Sequence, residues 1–127
     1  MLTMKYWAQA LVLGLSALTL NTANAHGAAK PQHGGVVQTA NDVSFELVLL
    51  ADGALIYLVD HDEPMPSVGI IGKLTVLNGT AKSEAELKAA GDNKLEARGI
   101  KIASGAKVVA TLNNVEGKTV TVRFAIK

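Results

Sequence analysis

The chain has no cysteine in its 127 residues. That excludes disulfides, thiolate metal sites and thiol catalysis. Aromatic residues make up only 4% of it, too few to spare for a sugar-binding face. An excess of one charge is also lacking, with 12 basic residues against 11 acidic ones. No basic patch of the kind that binds nucleic acid is present. Enzyme motifs are missing as well. There is no glycine-rich phosphate loop, no nucleophile elbow and no paired-histidine zincin helix. The spacing of serine and histidine marks no triad. Asp60 and Asp62 form a carboxylate pair of the kind that any acidic turn provides. A non-catalytic protein is expected.

The amino terminus has the features of a secretory signal peptide. Lys5 is its only charge, residues 8–20 are almost wholly apolar, and Ala23-Asn24-Ala25 is the small-x-small pattern of a signal peptidase site. The apolar run falls short of the roughly 20 residues that a membrane-spanning helix needs. Cleavage after Ala25 is predicted, and with it a periplasmic protein without a membrane span. The processed chain begins at His26 and keeps Phe45, Tyr57 and Phe124 as its aromatics. Loss of Lys5 leaves it formally neutral. Without disulfides, apolar burial must stabilise its one domain of about a hundred residues.

Residues 26–34 are polar and rich in glycine and alanine, and they read as a flexible arm. From residue 35 the pattern has period two. Val43, Phe45, Leu47 and Leu49 alternate with Ser44, Glu46 and Val48. Asp52-Gly53 reads as a tight turn, and Leu55, Tyr57 and Val59 follow on one face. Residues 60–67 break the pattern with Pro64 and Pro66. Further strands are expected at 73–77, 95–97, 107–112 and 119–126. Asn78-Gly79-Thr80 is formally a glycosylation sequon, but Asn-Gly is also a turn signal and is read as one. Residues 83–90 carry two signals. Ser83 with Glu86 resembles a helix capping box, while Ala85, Leu87 and Ala89 alternate with charged residues as in a strand. Strands on both sides favour the strand. About seven short strands predict an all-β fold, an antiparallel Ig-like β-sandwich over residues 35–127.

Three histidines remain after processing, all outside the strongest strands. A terminal His26 offers its α-amine and imidazole to one metal, and a further imidazole from His33 or His61 completes a three-nitrogen set suited to tetragonal Cu(II). Ala28 holds the third mature position, so the terminal copper motif that needs histidine there is absent. His33 precedes Gly34-Gly35, which equally permit a bulge or a close backbone approach. His61 lies between Asp60 and Asp62, and carboxylates beside an imidazole orient it as a ligand. Met65 adds one soft donor. The candidate metal ligands are therefore His26, His33, His61, Asp60, Asp62 and Met65, with copper or zinc as the ion. Two other classes compete. One is a protein-interaction module that regulates an efflux assembly by strand addition without holding metal. The other is a copper-brace oxygenase, for which the chain is short.

The ordered segments His33-Gly34-Gly35-Val36-Val37, Phe45-Glu46-Leu47, Tyr57-Leu58-Val59-Asp60-His61-Asp62, Gly72-Lys73-Leu74-Thr75-Val76 and Asn93-Lys94-Leu95-Glu96-Ala97 carry a resemblance. The chain resembles small periplasmic heavy-metal-resistance proteins. It is similar to the N-terminal domain of periplasmic adaptor subunits in heavy-metal efflux pumps of the resistance-nodulation-division type. The resemblance spans residues 33–127. It implies a β-sandwich-like fold, a periplasmic location, handling of Cu, Ag, Zn or Co, and an adaptor or other pump subunit as partner. It places candidate ligands at His33 and in residues 60–65. The chain has no hairpin, lipoyl or membrane-proximal adaptor domain, and no methionine cluster of a dedicated Cu(I) carrier.

Overall fold

The computed structural model describes residues 29–127. The expected leader, its cleavage site and His26 lie outside them. Every regular element described is a strand: β1 (Val36–Ala40), β2 (Val43–Leu50), β3 (Gly53–Asp60), β4 (Glu63–Pro64), β5 (Ile71–Asn78), β6 (Ala81–Ala89), β7 (Lys94–Arg98), β8 (Lys107–Val115) and β9 (Lys118–Ala125). No helix long and apolar enough to cross a membrane occurs among the described residues.

All pairings are antiparallel and all strands belong to one sheet, in the order β1-β2-β3-β7-β6-β5-β8-β9. β4 adds to β3 just beyond the end of β7. The outermost strands, β1 and β9, lie beside each other. The sheet therefore rolls into a nearly closed barrel. The all-β antiparallel expectation is met. The strands number nine rather than about seven, and they form one continuous sheet rather than an evident two-sheet sandwich. The reason is physical. Each strand alternates one buried face with one wet face, and that pattern is the same whether the buried faces meet across two sheets or inside one rolled sheet.

The interior follows the alternation. Val43, Phe45 and Leu47 of β2 and Ala54, Ile56 and Leu58 of β3 are fully buried. So are Leu74 and Val76 of β5, Val108, Ala110 and Leu112 of β8, and Leu95 of β7. In β9, Val120, Val122 and Phe124 point in, while Thr119, Thr121 and Arg123 face water. Burying each large apolar side chain stabilises the fold by about 1.5–3 kcal/mol, which is the main support for a chain without disulfides. Residues 83–90 follow their strand pattern. β6 pairs with β5 from Ala81 to Lys88.

Two strands were not anticipated, and turn chemistry explains both. β1 joins β2 through Asn41-Asp42, with φ of 51° and 66°. β3 joins β4 through His61-Asp62, with φ of 50° and 68°. Both are two-residue turns in the left-handed region, the backbone that matches strand twist. Glycine usually supplies it, whereas here Asn, Asp and His do.

Candidate metal and ligand site at His33

Glu46 alternates with the buried Phe45 and Leu47, so it points out of the barrel. Its neighbours across the sheet are Val37 on β1 and Tyr57 on β3. An outward carboxylate would ordinarily be wet. Glu46 is only 5% exposed, because the segment before β1 folds back over it. The amide of Gln32 donates to Oε1 at 2.9 Å. The amides of His33 and Gly35 both donate to Oε2 at 2.8 Å. His33 Nδ1 reaches Oε1 at 3.1 Å. A Cβ at Gly35 would overlap the Leu47 carbonyl, so only glycine lets the chain pass this close. The segment read as an arm is thus tied down at Gln32 and His33.

The electrostatics are consistent with that geometry. Burial pushes the Glu46 pKa up, but the amides of Gln32 and Gly35, the His33 ring and the His33 amide together outweigh it and hold the carboxyl below its ordinary value. An ionised carboxylate only accepts hydrogen bonds. His33 Nδ1 must therefore be the donor, and a neutral ring carries its lone pair on Nε2. The ring stacks on Tyr57 with centroids 3.6 Å apart and planes 6° from parallel. One carboxylate and one phenol ring fix both the tautomer and the orientation of an imidazole that is still 41% exposed.

Beside this ring lies an open cavity of about 470 Å³. His33, Glu46 and Tyr57 form part of its wall. Asp62 and Pro64 approach from the β3–β4 hairpin, and Ala29 and Lys30 from the incoming chain. Among the described residues, His33 and Asp62 are thus the two expected ligands that share a pocket. Asp60, His61 and Met65 stand apart. The His61 ring is 82% exposed, with Nδ1 2.6 Å from Asp60 Oδ1. Met65 packs against the hydrophobic core, and its amide donates to the Leu58 carbonyl at 3.0 Å. His26 lies outside the described residues. Among the described residues no three carboxylate or imidazole side chains converge as a ready cation cage. The described residues alone therefore do not form a closed four-ligand centre of the structural zinc kind.

Glu46 and Tyr57 were not singled out from the sequence. Glu46 reads there as one more polar residue on the wet face of a strand. The available signal was their pairing. The last tyrosine of the chain faces that carboxylate across the β2–β3 hairpin, and both lie downstream of a His-Gly-Gly segment free to fold back. No family model, curated protein or solved structure matches the chain.

Proposed function

We propose that the chain is an exported, non-catalytic protein of the periplasm that binds a divalent transition metal, copper or zinc, and buffers or delivers it in heavy-metal efflux and resistance. The observation that carries this reading is the His33–Glu46 pair. Histidines that bind metals characteristically donate the second ring nitrogen to a carboxylate, which fixes the tautomer and makes the free nitrogen more basic. His33 has that arrangement, with Nε2 as the donor atom and Asp62 on the same pocket. Ala29 lines the pocket too. A chain cut after Ala25 starts three residues before it, a reach of about 10 Å. The amine and imidazole of His26 then complete a nitrogen-rich set that favours Cu(II). His61 with Asp60 is a separate, weaker imidazole on the hairpin, and Met65 is taken up by packing.

The experiment is calorimetric titration of the processed protein with Cu(II) and with Zn(II). It is run beside His33→Ala and a triple variant with His26, His33 and His61 all replaced by Ala. The expected result is tight one-to-one binding that His33→Ala weakens sharply. Affinity in the native protein no greater than in the triple variant removes the reading. Mass spectrometry of the protein recovered from the periplasm under non-denaturing conditions reports the mature terminus and the bound metal together.

A further inference from the structure

β6 has one nearly complete neighbour and one that covers only its end. It pairs with β5 over eight of its nine residues, Ala81 to Lys88. On the other side it meets β7 only at Lys88↔Glu96 and Ala89↔Leu95. The cause lies after β7. Gly99, at φ 75°, turns the chain, and the amides of Gly99 and Ile100 donate to the Asp52 carbonyl at 2.8 and 3.3 Å. Asn78 then holds the following loop, donating to the Lys101 carbonyl at 3.1 Å and accepting from the Ala103 amide at 3.0 Å. Ile100 is buried. The segment that would have continued the ladder beside β6 instead closes one end of the barrel.

Among the described residues a strand edge is left open. The Ala90 amide donates across to Lys94 at 2.9 Å, and every second residue back along a strand turns its backbone groups the same way. Lys88 is satisfied by β7. Glu86, Glu84 and Lys82 therefore present their amides and carbonyls on a side where no described strand pairs with them. Residues 81–84 and Glu86 are exposed. An accessible row of unpaired backbone groups is a template for another strand.

We propose that the occupant is β6 of a second copy of this chain, antiparallel about a two-fold axis at Ser83. The charges select this partner and this register. With the axis at Ser83, Lys82 of each copy faces Glu84 of the other, Ser83 meets Ser83, and Ala81 meets Ala85. Opposite charges then lie together on the outer face, with small residues together on the inner one. With the axis at Glu84, that carboxylate meets its own copy. With the axis at Ala85, Glu84 opposes Glu86 and Lys82 opposes Lys88. Like charges directly opposite are unfavourable in a sheet. The interface is isologous and closed, so it yields a dimer and not a fibre. One strand pair buries little area, which makes the dimer weak and concentration-dependent.

Sedimentation velocity of the exported, processed protein from micromolar to millimolar concentration, with a chelator present, tests this. A monomer–dimer equilibrium is expected that survives the chelator. Glu84→Lys places two like-charge pairs across the axis and weakens the dimer by about tenfold or more. The charge swap Lys82→Glu with Glu84→Lys restores it. Both positions are exposed, and circular dichroism checks that each variant folds. A protein monomeric throughout, a dimer that the chelator dissolves, one indifferent to Glu84→Lys, or one not restored by the swap overturns the proposal.

Discussion

His33 and His61 invite comparison because each holds a carboxylate on Nδ1. The partner of His33 is buried and accepts three backbone amides besides the ring. The partner of His61 is the adjacent Asp60, and that ring stands 82% exposed in a hairpin turn. The His61 contact is the shorter, at 2.6 against 3.1 Å. Length is nevertheless a poor guide to what the two contacts do. An exposed pair exchanges water for a partner of similar worth and contributes about 0–1 kcal/mol. A buried carboxylate that satisfies several donors cannot be removed without leaving those donors stranded. The first pair organises the start of the fold, and the second only decorates a turn.

The largest expected difference is in stability. Glu46→Ala leaves the amides of Gln32, His33 and Gly35 without their acceptor and should cost about 2–4 kcal/mol, given that each stranded donor costs on the order of 1 kcal/mol or more. Asp60→Ala should cost less than about 1 kcal/mol. Urea unfolding of both variants measures the gap, and equal losses would dissolve the distinction. The proposed metal binding sharpens it next. Glu46→Gln should lower Cu(II) affinity about 10–100-fold by loosening the control of the His33 tautomer. Asp60→Asn should change it less than about threefold. Titration at a temperature where both variants are folded gives the comparison.

Acid provides the third test. The Glu46 carboxyl sits below its ordinary value of 4.5 in the folded protein. Its ionised form is thus favoured by folding. The stability it contributes is fully present above 4.5 and is lost as pH falls from there through the lower folded value. The unfolding free energy of the native protein should decline over that window, and that of Glu46→Gln should decline less. A native curve no steeper than the variant's would mean that the buried carboxylate gains nothing from its donors. The smallest effect belongs to the hairpin. Asp62 sits at φ 68°, so Asp62→Gly relieves a left-handed side chain and should leave stability unchanged or raise it by up to about 1 kcal/mol. A thermal melt detects the shift.

Much of the barrel was legible because it rests on alternation. The inward set of β9 and the seven strands β2, β3 and β5–β9 follow from period two, and so does the strand at β6 despite its capping-box signal. β1 and β4 were hidden by a narrow idea of turns. Asn41-Asp42 and His61-Asp62 adopt the left-handed geometry without glycine, so neither hairpin announced itself. The difference between a rolled sheet and a sandwich was hidden for another reason. It depends on which strands are neighbours, and β7 lies between β3 and β6 with no local signal to say so. At the candidate site, His33 and Asp62 were legible as residue types. Glu46 was not, because its burial is created by a segment thirteen residues earlier that folds back on it.

The adjacency of β1 and β9 has a kinetic side. The first and last strands of the barrel are neighbours, and β3 must pair with β7 across a long stretch of chain. Long-range pairings of this kind slow folding, because loop closure precedes the contacts that reward it. The barrel cannot close until residues 118–125 have been made, so the earlier strands wait for the last one. The length of that wait is set by the order of the strands in the sheet.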